Sequence, residues 1–177
     1  MMTSICPTPL GEVLLAASGA ALSGLWFTGQ KHFARTLPHP LPPPRDSPVL
    51  AAAKRWLTAY FAGKRPAPSE LELAPDGTPF QLAVWRVLLT VPYGSVISYG
   101  EVAQEVAHRL GRKTWSARAA GVAVGRNPVS IVIPCHRVIG ADGALTGYAG
   151  GLERKTALLK LEGIDLSDPF RRGKSLS

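Results

Sequence analysis

Apolar and turn-forming positions alternate at short intervals near the start of the chain. The apolar runs Val13–Ala17 and Ala21–Phe27 lie on either side of Ser18-Gly19. Short apolar runs separated by such turns are typical of antiparallel strands. Ser69–Leu73 also alternates in the manner of a strand. The pattern therefore predicts a small sheet in the first part of the chain.

A proline-rich stretch and a helix follow this sheet. Six prolines fall within residues 38–48, which predicts a surface loop because proline fits neither a helix interior nor a central strand. Val49–Phe61 then carries apolar residues at helical spacing. We place the boundary between an N-terminal α/β lobe, residues 1–77, and a C-terminal lobe, residues 78–177, close to Pro75–Thr78.

Capping boxes mark the starts of two helices in the second lobe. Thr78-Pro79-Phe80-Gln81 combines an N-cap, a proline in the first turn and a capping partner, and predicts a helix to about Thr90. Ser98-Tyr99-Gly100-Glu101 repeats the pattern and predicts a helix that ends near Gly111. A last helix is predicted over Gly151–Leu161.

A further short helix is predicted from Thr114, as its cap, to Gly125 before Asn127-Pro128. Two short helices joined by a glycine-containing turn indicate a helix-turn-helix. Ser130–Ile133 is apolar enough to be a buried strand, which Pro134 would end. The second lobe is thus expected to be mostly helical.

The charge of the chain is positive and uneven. Lysine and arginine exceed aspartate and glutamate by eight. Residues 1–79 carry a net charge of +2, whereas residues 80–177 carry +6. Residues 111–137 hold five basic side chains and no acid. An excess of this kind favours a polyanionic partner such as nucleic acid.

Two cysteines, Cys6 and Cys135, are far apart in sequence. A secreted disulfide scaffold would carry more, so both are expected to be free thiols in a reducing compartment. Val13–Phe27 lacks the basic flank of a signal peptide, and no apolar run reaches the length of a membrane span. We therefore expect a soluble cytoplasmic protein that does not associate with a membrane.

The strongest chemical signal is the run Ile131–Val138, in which Pro134 precedes Cys135, His136 and an arginine. A cationic environment lowers the pKa of a thiol toward neutrality and so favours the reactive thiolate. Adjacent residues of an extended segment point to opposite sides, so a water or a kink at Pro134 is needed to link His136 with Cys135. Glu162 is a candidate to orient the histidine. A buried cysteine beside a core histidine is the alternative interpretation.

Five separated motifs occur in order along the second lobe. They are Tyr93–Tyr99 (YGSVISY), Arg118–Gly121 (RAAG), Asn127-Pro128, Pro134–Gly140 (PCHRVIG) and Gly147–Gly151 (GYAGG). Together they closely resemble the O6-alkylguanine-DNA alkyltransferases, also called methylated-DNA–protein-cysteine methyltransferases. The resemblance covers residues 78–163, and extends more loosely into the first lobe through Pro9-Leu10-Gly11 and Leu25-Trp26-Phe27.

The resemblance implies an α/β fold and a suicide reaction. A ribonuclease-H-like α/β lobe would precede a mostly helical lobe, whose helix-turn-helix would lie in the minor groove of double-stranded DNA containing O6-alkylguanine. Cys135 would accept the alkyl group once, because the thioether is not reversed. His136 would take the thiol proton through a water, Glu162 would hold His136, and Asn127 would brace the turn. The resemblance implies a monomer without a cofactor, and leaves open whether O4-alkylthymine is also a substrate.

The resemblance also implies how the damaged base is held. Tyr99 would bond the guanine ring and supply the proton that makes it a neutral leaving group. Main-chain groups at Cys135 and Val138 would read the base edge, with Tyr148 and the following glycines as a lid. Arg118 would fill the space left by the flipped nucleotide. The DNA-binding residues implied by the resemblance are Arg118, Ala119, Gly121 and Arg126, on a helix whose small residues allow close approach to the backbone.

Three departures from the family pattern are visible. The segment between Tyr99 and Arg118 is several residues longer than in most relatives, so either the turn or the first helix should be extended. Ala149 replaces a frequent serine and offers only its backbone N–H to the guanine oxygen. A zinc site in the first lobe, known in some relatives, is not expected because Cys6 and two histidines, His32 and His39, are too few.

Three other functions share parts of this pattern. An alkyltransferase-like module that only recognises damage would lack the acceptor cysteine, whereas Cys135 is present. A helix-turn-helix transcription factor would not need the PCHRV run. A Cys-His hydrolase would need an oxyanion hole and multiple turnover. A stable alkyl adduct on Cys135 distinguishes the alkyltransferase from all three.

Overall fold

The computed structural model describes residues 1–170 and begins with a three-stranded antiparallel sheet. Its strands are β1 (Met2–Cys6), β2 (Val13–Ser18) and β3 (Ala21–Phe27), in that order across the sheet. The predicted hairpin of β2 and β3 is confirmed, and β1 is an additional edge strand that the pattern did not predict. Alternate β2 residues enter apolar clusters on the two faces, so the sheet is covered on both sides.

Helix α1 (Pro48–Phe61) covers one face of the sheet and confirms the helix predicted at Val49–Phe61. It begins at Pro48, which suits the first turn of a helix, and the Ser47 hydroxyl accepts a hydrogen bond from the Leu50 N–H. Residues 38–47 form the predicted loop. The Thr3 hydroxyl donates to the Pro42 carbonyl and ties this loop to β1.

The strand predicted at Ser69–Leu73 is wrong. Pro68–Glu70 forms a 3-10 turn, because the Glu70 carboxylate accepts a hydrogen bond from the Ala67 N–H at 2.7 Å and holds the chain in a cap. Only Leu73 keeps a strand-like contact, a single bridge to Leu22. The short alternation was too weak to compete with the proline and the local cap.

Up to residue 170, the C-terminal lobe contains four α-helices: α2 (Pro79–Leu88), α3 (Tyr99–Arg109), α4 (Ala117–Gly125) and α5 (Leu152–Leu161). Both predicted capping boxes are present, at Thr78 and at Ser98. The predicted cap of α4 is wrong, because the Ser116 hydroxyl, and not Thr114, accepts the hydrogen bond from the Ala119 N–H. Together α3 and α4 form the helix-turn-helix.

The buried strand predicted at Ser130–Ile133 is also wrong. This segment folds into consecutive tight turns, with the Val132 N–H donating to the Ser130 carbonyl and the Ile133 N–H donating to the Val129 carbonyl. Ile131 has a φ of 69°, a left-handed conformation that costs a β-branched residue on the order of 1–3 kcal/mol. Its surroundings impose this conformation, because Ile131 is buried in the main core.

One hydrophobic cluster continues from the sheet through α1 into α2, α3, α4 and the turns that follow. A two-stranded parallel ladder of β4 (Ile97–Ser98) and β5 (Val138–Ile139) joins the start of α3 to the residues after Cys135. The division between residues 77 and 78 stays a prediction. Within residues 1–170, no helix is long and apolar enough to cross a membrane.

Candidate active site

Cys135 begins a 3-10 turn, Cys135–Arg137, and does not lie at the end of a strand. The turns before it are held by Asn127, the second residue after α4. Its amide nitrogen donates to the Ile133 carbonyl at 2.8 Å and lies 3.0 Å from the Cys135 sulfur, and its carbonyl accepts from the Val129 N–H at 2.9 Å. One side chain thus fixes both the backbone turn and the thiol.

The Cys135 thiol is 4% exposed. Burial raises its pKa, and the Asn127 amide and the charge of Lys155 oppose this increase only in part. The thiol therefore stays protonated at neutral pH. A base has to remove the proton before the sulfur becomes a strong nucleophile.

His136 is fully buried, and its Nε2 lies 2.8 Å from Oε1 of Glu162. Burial lowers the pKa of the ring, and the positive charges of Arg137 and Lys155 act in the same direction, whereas Glu162 opposes them. A neutral ring that donates from Nε2 to the carboxylate leaves Nδ1 as the acceptor. Nδ1 is buried and has no hydrogen-bond partner among the described residues, so it is free to take a proton.

Glu162, at the end of α5, is the centre of a buried polar network. The Arg137 guanidinium donates to both carboxylate oxygens, from Nε at 2.8 Å and from Nη2 at 2.9 Å. The Tyr60 hydroxyl donates to Oε1 at 2.6 Å. Burial alone would raise the pKa of Glu162, but the hydrogen bonds from His136 and Arg137 and the positive charge of Arg137 outweigh it and hold the pKa far below its usual range. Glu162 is therefore ionised at neutral pH.

A groove of about 750 Å³ opens beside Tyr99 and Tyr148. Its walls come from the loop that follows β3, the start of α3, one face of α4 and the segment before α5. The lining residues are Lys31, His32, Tyr99, Ala117, Arg118, Gly121, Val122, Gly125, Arg126, Thr146, Gly147, Tyr148 and Ala149. A negative charge on Cys135 would raise the pKa of Tyr99 and of Tyr148, which both line this groove. We call the buried residues Cys135, His136 and Glu162 the floor of the groove.

Tyr99, the first residue of α3, is half-buried in this groove. Its hydroxyl donates to the Thr146 carbonyl at 2.9 Å and lies 3.2 Å from the Gly147 carbonyl. Burial raises the pKa of Tyr99, so the phenol keeps its proton. The ring packs against α4 at Gly121, where an added Cβ would lie 3.4 Å from the ring. A Cβ at position 121 would make an ordinary van der Waals contact with Tyr99, so a small residue suits this position.

Tyr148 and Ala149 form the opposite wall. The Tyr148 hydroxyl is buried and has no hydrogen-bond partner of ordinary length within residues 1–170. Burial raises the pKa of the phenol, and the nearby Ser130 hydroxyl opposes this increase. The Ala149 carbonyl accepts a hydrogen bond from the Lys31 N–H at 3.0 Å. The N-terminal lobe thus holds this wall in place.

Lys155 on α5 is fully buried beneath the same wall. Its ammonium donates to the Val138 carbonyl and to the Thr146 carbonyl. Burial lowers the pKa of Lys155 to about 8, with a partial opposing contribution from Cys135. It supports the Val138 backbone and places a positive charge near the sulfur.

The residues predicted to bind DNA lie on α4 or directly after it. Arg118 is exposed on α4, Arg126 is exposed at its C-cap, Ala119 is half-buried, and Gly121 lies over Tyr99. We call the solvent-accessible residues that line the groove, Arg118 and Arg126 among them, the rim. Ala120, which belongs to the RAAG motif, faces the core and is fully buried. The small side chain of Ala120 lets α4 pack closely against the core.

Residues 110–116 connect α3, which ends at Arg109, to α4, which starts at Ala117. The turn is anchored to α2: the Trp115 ring stacks on Phe80 with centroids 4.5 Å apart, and the Arg112 guanidinium lies 4.6 Å above Trp115. In residues 1–170, no group of three His, Cys, Asp or Glu side chains could hold a metal ion.

Sequence reasoning identified the cysteine, the histidine, the carboxylate and the asparagine that the fold brings together. It missed Tyr60, Arg137 and Lys155, which complete the buried network, and Lys31 and His32 on the rim. Arg137 was visible in the PCHRV run as a positive charge beside Cys135. The others carry no local signal, because long-range packing alone brings them to the site.

Comparisons with known proteins cover the described chain almost completely. Residues 1–75 match the family model for the ribonuclease-like domain of 6-O-methylguanine DNA methyltransferase, and residues 79–164 match the model for its DNA binding domain. The methylated-DNA–protein-cysteine methyltransferase of Mycobacterium bovis is 45% identical over 88% of each chain. That of Methanosarcina acetivorans is 41% identical over 92% of this chain and 99% of its own.

Solved structures agree with these matches. A crystal structure of Mycobacterium tuberculosis OGT in complex with DNA has a TM-score of 0.78 and 42% identity, and the match covers 92% of each chain. A structure of Mycobacterium tuberculosis O6-methylguanine methyltransferase has a TM-score of 0.74 and 44% identity over 91% of this chain and 92% of that chain.

Proposed function

The chain belongs to the 6-O-methylguanine DNA methyltransferase family, and we propose that it uses Cys135 as the acceptor in this family's reaction. It is a DNA-repair protein that transfers an alkyl group from O6-alkylguanine in DNA to one of its own cysteines. The assignment of roles to individual residues rests on the buried network beneath the groove.

Deprotonation of Cys135 is the first step. The thiol proton passes through a water to Nδ1 of His136, and Glu162 stabilises the resulting imidazolium through Nε2. Asn127 holds the sulfur in place and supplies a hydrogen-bond donor to the thiolate. Because the network excludes bulk water, its charges act more strongly than they would at a surface.

Alkyl transfer is a displacement at the alkyl carbon. The sulfur forms a bond to that carbon while the carbon–oxygen bond of the guanine breaks, and the electron pair stays on the base. The Tyr99 hydroxyl hydrogen-bonds the guanine ring and supplies a proton, so the base leaves as neutral guanine. The thioether on Cys135 is a poor leaving group, so each molecule reacts once.

Recognition of the base uses the groove walls. The backbone at Cys135 and Val138, with Lys155 behind the Val138 carbonyl, presents hydrogen-bonding groups to the base edge. The backbone N–H of Ala149 faces the guanine oxygen, and Tyr148 closes the site as a lid. Alanine at position 149 leaves no hydroxyl for that contact.

Duplex DNA is bound through the minor groove by α4. The target carbon is not accessible within the stacked duplex, so the nucleotide is flipped out at a cost of a few kcal/mol. Arg118 fills the vacated space, Arg126 contacts the phosphate backbone, and Ala119 and Gly121 allow the helix to come close. We propose that a monomer does this, in the cytoplasm, where a reducing environment keeps both cysteines free.

One arrangement carries the proposal: a nearly inaccessible thiol, held by Asn127, lies close to two tyrosines that line a groove. It is followed by a buried His136–Glu162 pair whose Nδ1 has no hydrogen-bond partner among residues 1–170. A structural cysteine needs neither the pair nor the groove. A module that only recognises damaged DNA needs no general base next to a thiol.

Intact-mass and peptide analysis after incubation with duplex DNA containing a single O6-methylguanine tests the proposal. We expect one methyl group on the peptide that contains Cys135, none on Cys6, and exhaustion of activity by one molar equivalent of damaged DNA. Cys6→Ser is the matched control and should react normally. Methylation elsewhere, or continued turnover without a cofactor, would contradict the proposal.

A further inference from the structure

The carboxylate that orients His136 is held from both lobes. Arg137 and His136 come from the turn after Cys135, but the Tyr60 hydroxyl comes from α1, 102 residues before Glu162. It donates to Oε1, the same oxygen that contacts His136 Nε2. The Tyr60 oxygen also lies 3.4 Å from that nitrogen.

Packing gives the Tyr60 ring a single orientation. It is 1% exposed, stacks on Trp56 with centroids 5.4 Å apart, and meets Phe61 and Tyr93 edge-on. The Trp56 indole is fixed in turn by a hydrogen bond to the Ala67 carbonyl at 2.9 Å. Because packing already fixes the ring, the Tyr60 hydroxyl points at Glu162 and loses no further conformational entropy when the hydrogen bond forms.

The Tyr60 hydroxyl is a permanent donor. Burial raises its pKa, and the negative charge of Glu162 and the hydrogen bond to it raise the pKa further. The phenol therefore keeps its proton throughout the working pH range. Within residues 1–170, no other residue of the N-terminal lobe donates a hydrogen bond to the Glu162 carboxylate.

We propose that Tyr60 is a positioning residue for alkyl transfer, whose hydroxyl limits how strongly Glu162 attracts the Nε2 proton of His136. This inference rests on the proposed function. A donor to Oε1 competes with His136 for the same electron density, so a carboxylate without it is more basic. A more basic Glu162 stabilises the protonated ring, and His136 then becomes a weaker acceptor at acidic pH, because more of it is already protonated.

The other charged and titratable groups around the pair are Arg137, Lys155, Cys135, Tyr148 and Tyr93. Arg137 pairs with the carboxylate, and the positive charges of Arg137 and Lys155 both lower the pKa of His136. Negative charges on Cys135 and Glu162 raise the pKa of Tyr148. Tyr93 lies behind the network, where its hydroxyl donates to the Leu161 carbonyl at 3.0 Å and not to Glu162. Tyr93 is therefore a matched control, a neighbouring half-buried phenol that does not donate to Glu162.

The test compares Tyr60→Phe with Tyr93→Phe. The His136 ring is titrated by NMR in the full chain without DNA, and single-turnover transfer from O6-methylguanine duplex is measured as a function of pH. We expect Tyr60→Phe to move both the NMR midpoint and the acidic limb of the rate profile upward by about half a pH unit or more. Tyr93→Phe should leave both midpoints where they are in the unmodified chain.

A second variant covers the case in which Tyr60→Phe does not fold. Site-specific 3-fluorotyrosine at position 60 keeps the ring and makes the hydroxyl a stronger donor, so both midpoints should move downward. Loss of stability with unchanged midpoints in either variant would show that Tyr60 only packs the lobes together, and would overturn the inference. Absence of transfer to Cys135 in the unmodified chain would instead reject the proposed function, while the NMR titration would still decide the role of Tyr60.

Discussion

The floor and the rim of the groove differ in how completely they are built before any DNA arrives. On the floor, Cys135, His136 and Glu162 are buried, and almost every polar atom has a partner. On the rim, Arg118 and Arg126 are exposed to solvent and no hydrogen bond ties their side chains to the described part of the chain. Chemistry is therefore preorganised, whereas recognition is completed by the DNA.

The two regions differ because water surrounds the side chains of the rim and is largely excluded from those of the floor. A buried carboxylate, a buried guanidinium and a neutral imidazole interact strongly because little water screens them, but each must be paired to offset the cost of burial. An exposed arginine keeps its hydration until a phosphate or a base replaces the water. Substitutions on the floor should therefore change the chemical step, and substitutions on the rim should change the response to DNA.

The largest effect is expected at the floor. Cys135→Ser and Cys135→Ala should abolish alkyl transfer and leave DNA affinity close to that of the unmodified chain, because the sulfur is buried away from the phosphates. Single-turnover transfer and fluorescence anisotropy with the same duplex measure the two quantities. If a folded variant lost DNA binding as well, the separation of floor and rim would be wrong.

A smaller but still large effect is expected at Glu162. Glu162→Gln should slow transfer by about one to three orders of magnitude, the range usual for a general acid–base partner. It should also lower the free energy of unfolding by roughly 3–5 kcal/mol, because the buried Arg137 loses its countercharge. Rapid-quench kinetics and denaturant unfolding check both, with Glu153→Gln at the exposed start of α5 as control. An unchanged rate would remove Glu162 from the mechanism.

Arg118 should give a moderate effect that depends on the substrate. If it fills the gap left by the flipped nucleotide, Arg118→Ala should slow repair in duplex DNA by about tenfold, given a stacking contribution of roughly 1–3 kcal/mol, and leave transfer from free O6-benzylguanine nearly unchanged. Arg118→Lys should restore only part of the loss, because an ammonium does not stack as a guanidinium does. Equal losses on both substrates would mean that Arg118 shapes the pocket.

The smallest effect is expected at Arg126. As a phosphate contact, its replacement by alanine should reduce the slope of log K against log salt by about one unit and change the rate at saturating DNA very little. Arg55→Ala on the exposed side of α1 is the control and should leave the slope unaltered. A change in the saturated rate without a change in slope would place Arg126 in the chemistry of the floor.

Local sequence signals determined the helix starts and the identity of the reactive run. The Thr78 and Ser98 capping boxes are satisfied within three residues, so no distant contact is needed to read them. Five ordered motifs likewise indicated the family, because their spacing is written in the chain itself. The prediction failed where two nearby residues could each cap the same helix: Ser116, and not Thr114, caps α4.

The tertiary structure alone decided how the reactive run is shaped. Ser130–Ile133 has the composition of a strand, yet Asn127 and the packing around Ile131 bend it into turns that deliver Cys135 to the groove. Backbone conformation there follows from contacts that the segment makes with other parts of the molecule, and no pattern within four residues encodes them.

The sequence by itself thus determined the family and the proposed acceptor cysteine with its neighbouring histidine, since those are properties of short, ordered motifs. Only the tertiary structure brought Tyr60 of the first lobe onto Glu162, buried Lys155 behind Val138, and set Lys31 in the same groove as Arg118. Burial and long-range hydrogen bonding define those positions, and both arise from the packing of distant segments into one shared core.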